Sequence, residues 1–173
     1  MAVSGTSATL SAAVDTPAVG QNAPMSTPTD QAGRPDEHDE LLEKFLAEST
    51  GNDGALNEKM EVRLVEVARD RIVGTMPVEG NTQPVGLFHG GAYVVLGESL
   101  GSMSANLAAG PGKLAVGVDI NATHTRSATS GIVTGVCTPI HLGRSMMVHE
   151  IVVTDDQGRR CSTIRITNMI KDR

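Results

Sequence analysis

An α+β fold, with a curved antiparallel sheet wrapped around one long helix, is what this sequence predicts. Three observations carry the prediction. From Gly91 to about Ala108 the chain has no proline and runs longer than a typical strand, which predicts a helix despite the β-branched pair Val94-Val95. On both sides of it lie shorter runs in which apolar and polar residues alternate with period two, bounded by turn residues. Runs of strands with one long helix among them favour an antiparallel sheet with a helix on one face. The 173 residues suit one domain, and 39% of them are hydrophobic, enough for a core.

Taken in order, residues 1–36 are Ala, Ser, Thr, Pro and Gly with hardly any large apolar side chain, so a disordered leader is expected there and one domain over residues 37–173. In "HDELLEKFLAES", Leu41, Leu42, Phe45 and Leu46 share one helical face, which predicts a short amphipathic helix. "KMEVRLVEVARDRIVGTMPV" alternates at Val62, Leu64, Val65 and Val67, turns near Arg69-Asp70 and resumes at Ile72 and Val73, as a β-hairpin does. A polar loop from Glu79 to Pro84 leads to the long helix, and "AGPG" ends it. Four strands in meander are then expected from "LAVGVDINATHTR", "GIVTGVCTPIHL", "RSMMVHEIVVTDD" and "RRCSTIRITNMI", the last with Ile164, Ile166 and Ile170 on one face.

Composition excludes several functions. A net charge of −6 and only three aromatic residues, Phe45, Phe88 and Tyr93, leave little to attract phosphate backbones or stack on bases, so nucleic acid is not an expected partner. Cys137 and Cys161 fall in strand-like runs and read as small buried hydrophobes rather than a disulfide. There is no charged n-region with an apolar core of signal-peptide type and no run near the ~18 apolar residues of a membrane span, which makes the cytoplasm the default and a membrane partner unexpected. His89, His124, His141 and His149 show no metal-ligand spacing, and neither a metal nor any other cofactor is expected. "GPGKL" lacks the Ser or Thr of a phosphate loop, and no Gly-x-Ser-x-Gly elbow occurs.

The informative stretch is "QPVGLFHGGAYVVLGESLGS". A helix places Val94, Val95, Gly101 and Ser102 around Glu98, a less polar setting than a solvated glutamate ordinarily has. Gly97 and Gly101 each cost the helix about 1 kcal/mol relative to alanine, so something approaches it closely, either a sheet or a ligand. Gly90 and Gly91 stand at the helix start, where backbone N–H groups lack intrahelical partners and suit a polarised carbonyl oxygen. His89 adjoins that position, and Gln83 precedes Gly90 on the same loop. A carbonyl held there could be attacked by Glu98 or its water, but nine helical residues span roughly 13 Å. One chain therefore does not easily bring both to one atom, which favours a site shared by two subunits.

These residues, together with "VGVDINATHTRSATSGIVTGVCTPIHLGRS" and "DDQGRRCSTIRIT", resemble the hotdog-fold acyl-CoA thioesterases over about Met60 to Ile170. The branch is that of the Arthrobacter-type 4-hydroxybenzoyl-CoA and the 1,4-dihydroxy-2-naphthoyl-CoA thioesterases, with the likeness strongest to the latter. The resemblance implies a six-stranded sheet around the helix, and homodimers pairing into a tetramer. It implies Glu98 as nucleophile or general base, Gly90 as oxyanion donor, Gln83 and His89 orienting the thioester and acyl ring, and Ser102 positioning the carboxylate or water. It also implies that coenzyme A lies across the subunit interface on Gly117, on His124, Thr125, Arg126 and Ser127, and on His141, Leu142, Gly143, Arg144, Ser145 and Met146. Arg126 and Arg144 suit phosphate, since guanidinium gives bidentate charge-assisted bonds. The order Arg144-Ser145 reverses the Ser-Arg order expected in the branch. The implied reaction is hydrolysis of an aromatic acyl-CoA. An acyl-thioester dehydratase and a non-catalytic CoA-ester-binding module are the rival readings.

Overall fold

The computed structural model describes residues 54–173. The expected leader and the helix expected within residues 38–49 lie outside the described residues. The chain enters through a one-turn helix that the periodicity did not announce, α1 (Ala55–Lys59). It continues through β1 (Arg63–Ala68), β2 (Arg71–Pro77), the long helix α2 (Gly90–Ala109), β3 (Lys113–His124), β4 (Ile132–Leu142), β5 (Met146–Thr154) and β6 (Arg160–Asp172). The hairpin turns at Arg69-Asp70 as its alternation predicts, and Val65, between the shifted register positions Leu64 and Glu66, bulges out to 65% exposure.

The six strands form one antiparallel sheet in the order β1-β2-β4-β5-β6-β3. This corrects the expected four-strand meander. β4, β5 and β6 are neighbours in sequence order, but β3 lies beyond β6 at the edge, and β4 pairs with β2 instead. Alternation tells which way side chains face and says nothing about which strand lies alongside. Residues 78–89 and α2 join β2 to β3, and α2 runs alongside β3 from Gly90, beside His124, to Asn106, which accepts the Ala115 N–H; the later three strands fill the space between β2 and β3.

The helix buries Ala92, Tyr93, Leu96, Gly97, Leu100, Gly101, Ser104 and Ala105 against the sheet. Ile151 of β5 and Ile164 and Ile166 of β6 are fully buried beneath it. A Cβ built on Gly97 would come within 2.8 Å of Ile164 Cδ1, and one on Gly101 would collide with Ile166 Cγ2. The close approach that the two helical glycines demand is therefore that of the sheet. At its C-terminus α2 stops at Gly110, whose φ of 75° suits glycine.

Both cysteines are buried and free, as expected, and burial pushes the Cys137 thiol up to about 12. His149 of β5 is also fully buried on the helix side of the sheet, with no partner for either ring nitrogen among the described residues, and burial holds its pKa below the ordinary value. The β5–β6 turn is organised by Asp155, which accepts hydrogen bonds from the N–H groups of Gln157 and Arg159 and pairs with the Arg159 guanidinium at 2.8 Å. The hydrogen bond from Arg159 holds that carboxyl below the usual carboxylate range.

Candidate active site

Glu98 sits on the third turn of α2, on the stripe that faces edge strand β3 rather than the core. It is half-buried. Its carboxylate lies against the main chain of Gly117: a Cβ at that position would stand 2.6 Å from Glu98 Oε1. Gly117 also opens a β-bulge, for the β3–β6 register shifts between Gly117 and Asp119 and leaves Val118 54% exposed. One turn along the helix, Ser102 Oγ donates a hydrogen bond of 2.9 Å to Glu98 Oε1. Behind Ser102 stands Asn168 of β6, fully buried, whose Nδ2 donates to Ser102 Oγ at 3.3 Å.

A second group of residues gathers at the helix N-terminus. His89 is the N-cap, with extended backbone, and its Nδ1 accepts the Gly91 N–H at 2.8 Å. In the neutral ring that bond leaves the proton on Nε2. Gly90 is the first helical residue, so its N–H has no intrahelical acceptor. Gln83 is half-buried at the base of a tight loop, where its N–H donates to Leu87 O at 2.8 Å and its carbonyl accepts from Gly86 N–H at 2.9 Å. His124, from the end of β3, reaches the same place: a Cβ on Gly90 would stand 3.2 Å from His124 Nε2. Its ring stacks on Tyr93 with centroids 5.1 Å apart, and its Nδ1 lies 3.0 Å from the buried Ser162 Oγ. Tyr93 in turn meets Phe88 edge-on at 4.5 Å, and burial raises its hydroxyl pKa.

The residues linked with coenzyme A divide between these groups. Thr125, Arg126 and Ser127 are exposed and continue from His124, with the N–H groups of Thr125 and Arg126 both donating to Cys161 O. The turn His141, Leu142, Gly143, Arg144, Ser145 and Met146 lies at the other end of the sheet. It is closed by Gly143 N–H to Met146 O at 3.0 Å and tied to β6 by Ile170 N–H to Ser145 O at 2.9 Å. His124 pairs with Ser162 and Met146 with Met169, so the two segments flank opposite ends of β6, roughly 23 Å apart at ~3.3 Å per residue. The turn thus keeps company with Glu98, Ser102 and Gly117, whereas Arg126 keeps company with Gly90. Along α2, Gly90 and Glu98 are about 12 Å apart.

Asn168, Tyr93 and Ser162 are the residues that sequence reasoning missed. A signal existed for Asn168 and Ser162, polar residues in step with Ile164, Ile166 and Ile170 on the inward face; that Ser162 meets His124 needed the β3–β6 register. No group of three or more His, Cys, Asp or Glu among the described residues is placed to hold a metal ion. Among the same residues no helix is long and apolar enough to cross a membrane.

Comparison with known proteins adds the family. Residues 85–162 match the thioesterase superfamily. The proofreading thioesterase EntH of Cronobacter turicensis is 44% identical over 118 residues, covering 68% of this chain and 86% of that protein. The 1,4-dihydroxy-2-naphthoyl-CoA hydrolase of Escherichia coli K12 is 45% identical over 112 residues, 64% of this chain and 82% of that protein. A crystal structure of a Haemophilus influenzae thioesterase superposes with a TM-score of 0.68 at 35% identity, covering 73% of this chain and 88% of that one. With its six antiparallel strands, its single long helix and relatives of this likeness, the chain belongs to the thioesterase superfamily and is a thioester hydrolase of hotdog fold.

Proposed function

We propose that the enzyme hydrolyses an aromatic acyl-CoA, with 1,4-dihydroxy-2-naphthoyl-CoA the leading substrate, and that Glu98 is the group that acts on the thioester. One observation carries this reading: a half-buried carboxylate is held by Ser102 against a strand that has no side chain at the point of contact. As nucleophile, Glu98 attacks the acyl carbon, the C–S bond breaks, coenzyme A leaves as thiolate, and water then cleaves the acyl-enzyme anhydride. As general base, it takes a proton from water that adds to the acyl carbon; the tetrahedral oxyanion then collapses, the C–S bond breaks and coenzyme A leaves, protonated by Glu98. Both routes end in the free acid and the thiol. In each, the Gly90 N–H donates to the carbonyl oxygen as negative charge develops on it, with Gln83 and His89 orienting the thioester beside it.

The 12 Å between Gly90 and Glu98 in one chain calls for a second copy. β3 supplies the means, since it is a 12-residue edge strand with Val116 and Val118 exposed, an invitation to pair. Antiparallel pairing of two β3 strands about a two-fold axis at Ile120-Asn121 sets Gly117 of one chain beside His124 of the other. Glu98 then approaches the partner's Gly90, and the turn around Arg144 approaches the partner's Arg126, where the phosphates of coenzyme A would lie. Pairing of such dimers into a tetramer belongs to the same reading.

A second substrate class is an acyl group wrongly loaded on a carrier protein instead of coenzyme A, and likeness to a protein named as a proofreading thioesterase is in keeping with such a corrective role. The deciding experiment compares kcat/KM across aryl and aliphatic CoA esters and acylated carrier protein, with Glu98→Gln beside the natural chain. The variant is expected to lose ~10²–10⁴-fold in kcat with its fold intact. Near-normal turnover would remove Glu98 from the chemistry.

A further inference from the structure

We infer that Asn168 is a positioning residue for the hydrolysis: its buried amide N–H sets the direction of the Ser102 hydroxyl and, through it, the orientation of the Glu98 carboxylate. The inference rests on the reading of Glu98 as the reacting group.

A serine hydroxyl has one proton to give and lone pairs to receive with, whereas an ionised carboxylate only accepts. At 2.9 Å from Glu98 Oε1, the Ser102 proton must therefore point to Glu98. That bond persists only if nothing else claims the proton. Asn168 guarantees this by presenting Nδ2, a donor, to Ser102 Oγ at 3.3 Å. An amide turned over would present oxygen instead and draw the serine proton away from Glu98. Asn168 has no access to solvent, and its Oδ1 has no partner among the described residues, so Ser102 is the neighbour that decides how the amide lies. The cost is a buried acceptor left unpaired in an otherwise apolar row between Ile166 and Ile170, a cost that a leucine there would avoid.

The register adds a second connection. Asn168 is the β3–β6 partner of Gly117, the residue on which the Glu98 carboxylate rests. One residue of β6 thus supports the carboxylate from both sides, through a hydrogen-bonded side chain and through the ladder at the bulge. Ser102 and Asn168 act in series on this reading.

The test is a double-mutant cycle on the full chain with an aryl-CoA ester as substrate. Asn168→Leu is expected to lower kcat about tenfold while KM stays within about twofold. Ser102→Ala should do the same, and the double variant should fall no further than Ser102→Ala alone. Losses that multiply in the double variant, or an Asn168→Leu enzyme with the natural kcat, would overturn the inference. Should the leucine variant not fold, Asn168→Asp is nearly isosteric and offers Ser102 only an acceptor once ionised. It is expected to lose kcat at least as far, and a folded Asn168→Asp enzyme with undiminished kcat also refutes the role. If Glu98→Gln is inactive while the position-168 variants are unimpaired, this inference alone fails; if Glu98→Gln is active, the reading beneath it fails.

Discussion

Helix α2 meets the sheet along two faces, and glycine serves them in opposite senses. On the core face the glycines belong to the helix: Gly97 and Gly101 make room for the side chains of Ile164 and Ile166. On the face towards β3 the glycine belongs to the strand: Gly117 makes room for Glu98. Where the helix gives up its side chain, an isoleucine fills the gap and the gain is packing. Where the strand gives up its side chain, a carboxylate fills the gap with Ser102 beside it, and the gain is a placed reactive group. The same deletion of a methyl group thus serves cohesion in one place and chemistry, on our reading, a turn away.

That contrast is broken most directly at Gly117. In Gly117→Ala the new methyl would stand 2.6 Å from Glu98 Oε1, so the carboxylate must move. We expect kcat to fall about 10²-fold with the melting temperature little changed, because misplacing a reacting group is costly even when the fold is not disturbed. A natural kcat in that variant would dissolve the distinction between the faces. Gly101→Ala should behave in the reverse way. Alanine gains the helix about 1 kcal/mol, but overpacking against Ile166 costs about 1–3 kcal/mol, so denaturant titration should show a net loss of stability while the folded fraction keeps its kcat.

Smaller effects sharpen the comparison. Arg126→Ala is expected to raise KM for CoA esters several-fold with kcat retained, and to leave KM for an acylated carrier protein less affected; steady-state kinetics on both substrates decides. His149, on the packing side, should affect stability alone. Burial holds its folded pKa below the usual 6.5, so the unfolded chain takes up the proton first. The stability it contributes as a neutral ring is complete above about pH 6.5 and is lost as pH falls from there through the folded value. Unfolding free energies across that window should flatten in His149→Leu, and an unchanged slope would show that the titrating group lies elsewhere.

Much of this was legible in the residues themselves. Period-two alternation located the hairpin and the four later strands to within a few residues, because each strand has one face on the core. The long helix was legible because nothing in it breaks it. What stayed hidden depends on partners distant in sequence. The place of β3 is set by its pairing with β6, a strand some forty residues later, and no local pattern encodes that partner. The bulge at Val118 exists only relative to β6. Glu98 could be singled out from its apolar neighbours, and the resemblance supplied its expected role. Its contact with Gly117 and the chain of bonds back to Asn168 could not be foreseen, since residue 98 and residue 168 share no spacing. Resemblance grouped His124 with coenzyme A; the structure adds that its ring stands beside Gly90, over Tyr93.

On the proposed reading, a rigid rod bearing an oxyanion donor at one end and a carboxylate eight residues on would make each solitary molecule two unfinished halves. Catalysis per milligram should then decline on dilution, as paired strands come apart, and recover on concentration. Two dead variants, one without the acid and one without the donor, should revive each other when unfolded and renatured as a mixture.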